Sequence, residues 1–343
     1  MNINNNSQLK PLFFFFTFIT LFLFSYFYTT FYPNTTGGDE VFYLNLATRM
    51  LDEPFGNRVA IGITQLLNFG WPVMLSYYPD FSLEFNITLT LFRILILTFS
   101  VFYFFKTFKV QPIVVILLIP FIFQASIYAG SLIRDDLIFS FYLLTLSLLK
   151  NISIKTLPLI LFTFIILITL RVPLIISAIP FIITISFKFV KESKIMIFFV
   201  PFLSLLFIYL LTVLGIESYI TSKFISSIVI NPFDMIRPFL SPINPFLVTE
   251  NIRYDNPIIF ILMSPAKIFF ISALFILLTF KSKFPIQEIL FIILSALPYM
   301  LIPVNLGMRQ ALPIQFCLYA LIISAAFNII LKHKKKLVKV EHG

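Results

Sequence analysis

The chain has 343 residues, of which 59% are hydrophobic and only 12% carry a charge. An average soluble protein has about 25% charged residues, so this composition excludes a soluble globular protein and predicts an all-α, polytopic membrane protein. The formal net charge of +10 does not indicate nucleic-acid binding, because lysines of membrane proteins collect on the cytoplasmic side and report orientation.

Long apolar runs recur along the whole chain, and a helix of about 20 such residues crosses a hydrocarbon core of about 30 Å. The first run, 11–32, is rich in phenylalanine and has no small-residue cleavage site, so we expect a retained anchor. With this run, the others predict about ten transmembrane helices. They cover 85–105, 112–129, 137–149, 156–172, 174–187, 195–214, 257–280, 286–304 and 312–331.

The segment 59–78 is apolar but contains polar residues, glycines and Pro72, so it either spans the membrane or lies at its interface. If it does not span and the N-terminus is cytoplasmic, fifteen of the seventeen lysines fall on cytoplasmic segments. If it spans, fourteen of those fifteen fall on the wrong side. We therefore predict interfacial helices here, cytoplasmic termini, and a basic cytoplasmic tail over 332–343.

The arginines and acidic residues are distributed differently from the lysines. Seven of the eight arginines and twelve of the fifteen acidic residues lie at or near the outer face in this topology. Arginine carries a permanent planar charge that suits phosphate and carboxylate groups. The excess of arginine at the outer face opposes the positive-inside tendency, and it predicts a binding or catalytic site at the outer boundary of the membrane.

The first outer loop, 33–84, contains Asp39-Glu40 followed by Tyr43. We expect Asp39 at the N-cap of an interfacial amphipathic helix. The two acids either cap this helix in water or face a lipid head group. Its apolar face is predicted to consist of Val41, Leu44, Ala47 or Thr48, and Leu51.

Arg134-Asp135-Asp136 opens a predicted span in the middle of the chain. The acids either favour the positive end of the helix dipole, as at an ordinary helix start, or one orients a hydroxyl while Arg134 holds a phosphate. Arg171, two residues before Pro173, divides an apolar stretch into two short helices that meet at the outer surface. Arg171 either takes part in a site at the outer surface or extends its side chain to the lipid head groups.

The second large outer loop, 215–256, is rich in proline and contains Arg237, which suits an acceptor groove, a lid or a structural cap. Arg309 lies in the short outer turn before the last span. Arg93 and Lys267 lie within spans, where an ionisable residue is a functional candidate unless it has a buried partner such as Glu84 or Asp255.

The order of these elements resembles the GT-C superfamily of membrane glycosyltransferases. The resemblance rests on Asp39-Glu40 with Tyr43 after the first span, on Arg134-Asp135-Asp136, and on Arg309 before the last span. The Arg-Asp-Asp element and the proline-rich loop are also similar to bacterial O-antigen and capsule repeat-unit polymerases.

This resemblance implies a polyprenyl-(di)phosphate-linked saccharide donor, a saccharide acceptor and a reaction at the outer face of the bacterial inner membrane, as repeat-unit polymerase or lipid-linked sugar transferase. Asp39 and Glu40 are the expected catalytic residues. Phosphate or substrate binding is expected from Tyr43, Arg58, Arg134, Asp135, Asp136, Arg171, Arg237 and Arg309. No cofactor is expected, although some members of the superfamily use a divalent metal, which Asp39, Glu40 and Asp136 could hold if they converge.

The alternative function is a flippase of lipid-linked oligosaccharides, which would need charged residues on several helices near the midplane.

Overall fold

The computed structural model describes residues 9–31, 38–65, 70–78, 86–153, 155–171, 174, 236, 238–240, 257–280, 286–301 and 308–341. These residues contain no strand, which confirms the predicted all-α class for the described part of the chain. The helices bounded there are α1 (Leu9–Phe31), α2 (Gly38–Arg49), α3 (Phe55–Gln65), α4 (Gly70–Leu75), α5 (Ile87–Phe108), α6 (Pro112–Ala129), α7 (Asp135–Lys150), α8 (Leu157–Leu170), α9 (Pro257–Thr279), α10 (Ile286–Leu301) and α11 (Met308–Glu341).

Five helices in the described part are long and apolar enough to cross a membrane: Pro11–Phe31, Ile87–Phe108, Pro112–Ala129, Ile258–Thr279 and Ala311–His333. Leu157–Leu170 and Glu288–Leu297 are shorter apolar helices. Apart from Leu174, the predicted runs 174–187 and 195–214 lie outside the described residues. The total of about ten spans therefore stays a prediction.

Most helix ends follow from local chemistry. The Asn86 side chain caps α5 by accepting a hydrogen bond from the amide of Leu89 at 2.9 Å. Pro112 begins α6, because a proline at the first helical position removes an amide hydrogen that would have no helical partner. At the other end of the chain, α11 continues through the basic tail to Glu341, ten residues past the predicted end at 331.

Two helices are described within the segment 59–78. They are the last part of α3, a helix of 11 residues, and α4, with 6 residues, each too short to cross a bilayer of about 30 Å. A Cβ atom on Gly70 would lie 2.6 Å from Thr169 Oγ1, so only glycine lets α4 approach α8 this closely. The interfacial position of this segment stays a prediction.

Helix α7 lies in the centre of the described bundle, where almost all of its residues are buried and it packs against α5, α6, α8, α10 and α11. At one end of the bundle, called the outer end after its predicted orientation, α5 and α7 begin while α6 and α8 end. At the opposite end, Lys150 Nζ of α7 lies 2.5 Å from Glu288 Oε1 of α10. In the predicted topology, the end of the run 137–149 and the start of the run 286–304 are both cytoplasmic, and the structure places Lys150 and Glu288 at the same end.

Candidate functional site

The outer end of the bundle is built around the residues 130–134, which join α6 to α7 and are called the α6–α7 turn. All five are buried although none is in a helix. Gly130 begins the turn against α1, and a Cβ atom there would lie 2.6 Å from Ser25 Oγ and closer still to Thr29 Oγ1. Because the turn lies away from solvent, its backbone groups need partners from other elements.

Arg93 of α5 supplies most of those partners. Its guanidinium group donates to the backbone carbonyls of Tyr128 (2.9 Å), Ser131 and Ile133. It also donates to both carboxylate oxygens of Asp136, with 2.9 Å from Nε to Oδ2. The side chains of Arg93 and Asp136 are 1% and 0% exposed, so this is a fully buried ion pair.

Two other elements hold the same turn through the residue Leu132. Trp71 of α4 donates from its indole Nε1 to the Leu132 carbonyl at 2.5 Å, and its ring lies 4.8 Å from the Arg93 guanidinium carbon. Glu40 of α2 accepts a hydrogen bond from the Leu132 amide at 2.8 Å and is fully buried. Three separate helices thus fix one short stretch of backbone.

Arg134 and Asp135 lie between two groups that Arg93 binds, the Ile133 carbonyl and the Asp136 carboxylate, and their side chains extend to other helices. The Arg134 guanidinium carbon lies 5.0 Å from the ring centre of Tyr43, a cation–π contact with α2. Asp135 Oδ1 lies 3.3 Å from Arg171 Nη2, at the end of α8. All four side chains are buried.

Helix α2 is rotated relative to the predicted amphipathic face. Its buried residues are Glu40, Tyr43, Leu46 and Ala47, followed by the buried Met50 just after the helix, whereas Thr48 and Leu51 are exposed. The helix begins at Gly38, so Asp39 lies in its first turn and not at the N-cap. The physical reason for the rotation is that Glu40 faces inward to the Leu132 amide, an interaction that apolar periodicity does not reveal.

Six of the ten predicted site residues meet around the α6–α7 turn: Glu40, Tyr43, Arg134, Asp135, Asp136 and Arg171. Asp39 and Arg309 lie in the first turns of α2 and α11, but their side chains lie outside the described residues, as does all of Arg237.

Arg58 belongs to a different, local cluster. It donates to the backbone carbonyls of Glu53, Leu51 and Ser76 at 2.5–2.7 Å, and its guanidinium lies 4.1 Å from the Tyr77 ring centre. These contacts close α3 against the end of α4.

The structure corrects one expectation and adds one residue. The buried acid that pairs with Arg93 is Asp136, where Glu84 or Asp255 was suggested. Sequence reasoning missed Trp71 entirely. It is the only tryptophan of the chain, which was the available signal.

Three basic and three acidic side chains, all buried, therefore lie around the α6–α7 turn at the outer end: Arg93, Arg134 and Arg171 with Glu40, Asp135 and Asp136. Charges in such surroundings interact more strongly than in water, and each must be compensated. Such a set can bind an anionic group and stabilise charge that develops on it. In the described part of the chain, no group of three or more His, Cys, Asp or Glu side chains could hold a metal ion. Because the Asp39 side chain is outside that part, the metal site of Asp39, Glu40 and Asp136 stays a prediction.

No protein-family model, curated protein or solved structure matches this chain.

Proposed function

We propose that the protein is a membrane glycosyltransferase that takes a saccharide from a polyprenyl-(di)phosphate donor at the extracytoplasmic face of the bacterial inner membrane. The product is part of a surface polysaccharide, formed by a repeat-unit polymerase or a lipid-linked sugar transferase. The observation that carries the proposal is the cluster around the α6–α7 turn, where Arg134 and Arg171 lie together with acidic side chains at one end of an apolar bundle.

The composition of this cluster suits a lipid phosphate. Arg134 and Arg171 are held by an aromatic ring and a carboxylate, respectively, so their orientation is set before any substrate binds. Preorganised cations stabilise a developing negative charge without first having to reorganise. The long apolar helices beside them provide a lipid-facing surface along which a polyprenyl chain can lie.

In the proposed reaction, a hydroxyl group of the acceptor attacks C1 of the donor sugar. A new C1–O bond forms, the hydroxyl proton passes to the Asp39 carboxylate, and the C1–O bond to phosphate breaks. The phosphate oxygen retains the electron pair, and Arg134 and Arg171 stabilise its growing charge. Since the donor is already activated by its phosphate, the reaction needs no nucleotide.

Glu40 and Asp136 have supporting roles in this proposal. Glu40 holds α2 on the turn through the Leu132 amide, and Asp136 neutralises Arg93. Because these two acids have other roles, Asp39 is the residue that we propose as the base for the acceptor hydroxyl.

Purified protein in detergent provides the decisive test. With a polyprenyl-diphosphate oligosaccharide as donor and acceptor, we expect release of polyprenyl diphosphate and a longer lipid-linked saccharide. A flippase would consume no donor in detergent, where no second compartment exists, and that result would contradict the proposal. Deletion of the gene distinguishes a repeat-unit polymerase from a lipid-linked sugar transferase. Loss of long surface polysaccharide chains with single repeats retained indicates a polymerase.

A further inference from the structure

We propose that Arg93 and Trp71 are positioning residues for this reaction. They fix the α6–α7 turn and so hold Arg134 where the leaving phosphate gains charge, together with Asp135, which orients Arg171. The inference rests on the proposed function, since it assigns a catalytic purpose to a contact network that touches no substrate.

The argument begins with the order of the contacts along the chain. Arg93 binds the carbonyl of Ile133 and the carboxylate of Asp136. Arg134 and Asp135 are the two residues between these anchor points. The guanidinium group of Arg93 therefore fixes the chain on both sides of Arg134 and Asp135. The side chains of these two residues extend to α2 and α8, respectively.

Trp71 completes this arrangement from a separate helix. Arg93 binds the carbonyls of Ser131 and Ile133, and the indole of Trp71 binds the carbonyl between them, that of Leu132. Three successive carbonyls are thus held by two side chains that also stack on each other. The turn has little freedom left to rotate Arg134 away from Tyr43.

Only arginine can make this set of contacts. Its planar fork presents five N–H donors, and here Nε, Nη1 and Nη2 all donate. A lysine ammonium has three donors at a single point and cannot contact three carbonyls and both oxygens of Asp136 together. Arg93→Lys therefore keeps the charge opposite Asp136 but releases part of the turn.

A double-mutant cycle with Arg134 tests whether Arg93 acts through that residue. We expect Arg93→Lys to lower kcat by about ten- to a hundredfold, as small misplacements of a catalytic group do. The KM for the lipid donor should change by less than about threefold, since stabilisation is lost mainly in the transition state. In an Arg134→Ala background, the same change should lower the rate by less than about twofold, because the residue that it positions is gone.

Equal loss of activity in both backgrounds would overturn the positioning role and indicate a general loss of structure. So would unchanged kcat in a folded Arg93→Lys protein. If Arg93→Lys does not fold, Trp71→Phe repeats the cycle, because it keeps an aromatic ring under the guanidinium and removes only the bond to Leu132. Glu288→Gln is the matched control, since it breaks an ion pair at the other end of α7 and should leave the Arg134 dependence unchanged.

Hydrogen exchange separates failure of this inference from failure of the proposed function. In Arg93→Lys, the amides of residues 130–136 should exchange at least about tenfold faster than in the unchanged chain, while those in the middle of α7 keep their protection. If the unchanged protein transfers no saccharide, the proposed function fails and the positioning role falls with it. Unchanged exchange in an active protein would instead overturn the inference alone.

Discussion

Two neighbouring carboxylates, Asp39 and Glu40, are expected to have different tasks although they differ by one methylene group. The Glu40 carboxylate is buried and accepts a hydrogen bond from the amide of Leu132. In Glu40→Gln, the side-chain carbonyl oxygen can still accept that bond. In the proposed reaction, Asp39 receives a proton, and an asparagine cannot do so.

We therefore predict that Asp39→Asn abolishes saccharide transfer, whereas Glu40→Gln retains at least about a tenth of it, because hydrogen-bond geometry is kept. Each substitution is the control for the other, since both remove one negative charge from α2. Transfer rates in detergent, with equal amounts of folded protein, provide the measurement. Full activity in Asp39→Asn would remove that residue from its proposed role.

Asp136 and Arg93 form the most deeply buried ion pair of the described residues. Removal of one partner leaves a charge without compensation in a nonpolar interior, which costs about 3–5 kcal/mol. We expect Asp136→Asn to lower the midpoint of thermal unfolding clearly, and Arg93→Met with Asp136→Leu to recover much of the loss. Asp52→Asn, at an exposed acid, is the control and should leave the midpoint unchanged. An unchanged midpoint in Asp136→Asn would show that this pair contributes little to stability.

At the scale of single elements, the contact between α1 and the α6–α7 turn depends on Gly130. A Cβ atom there would overlap the hydroxyl groups of Ser25 and Thr29, so Gly130→Ala must displace these side chains or α1 itself. We predict a loss of about 1–3 kcal/mol of stability, as for other overpacked sites. Gly56→Ala is the control, because a Cβ atom at Gly56 meets nothing within 4 Å. Equal unfolding midpoints for the two variants would contradict this prediction.

Apolar runs predict the described helices well because a bilayer imposes both length and composition. The run 112–129 coincides with α6, and the run 137–149 lies within α7. The face of α2 was predicted wrongly because a buried carboxylate sets its rotation. Periodicity counts apolar residues, and it cannot show that Glu40 has a backbone amide to bind in a turn about ninety residues away.

Part of the grouping of the candidate site residues was also predictable from the sequence. Arg134, Asp135 and Arg171 were identified because charges are rare in this chain, and the structure brings them together. Arg93 was recognised as unusual, but its partners are mainly backbone carbonyls. Carbonyl groups carry no residue identity, so no sequence pattern could have shown that Arg93 and Trp71 converge on the same turn.

For the whole molecule, the separation of lysine from arginine predicts one orientation in the membrane. We expect a cysteine at Asn45, exposed on α2, to react with a membrane-impermeant reagent from outside the cell. A cysteine at Lys335 should react only after permeabilisation, because the basic tail is predicted to be cytoplasmic. Both variants need Cys317→Ser as background, although that cysteine is buried. Labelling of both positions from the same side would overturn the topology and the extracytoplasmic site with it.

Arg93 and Trp71 bind the α6–α7 turn through its backbone carbonyls, so the identity of the turn residues is less constrained in evolution than that of Arg93 and Trp71. The bonds to Ser131, Leu132 and Ile133 end on carbonyl oxygens, which every amino acid possesses. Among orthologues, these three positions should therefore drift among residues of similar bulk. Arg93 and Trp71 should stay invariant, because their side chains provide the donors of these bonds and other residue types lack the same donors in the same positions.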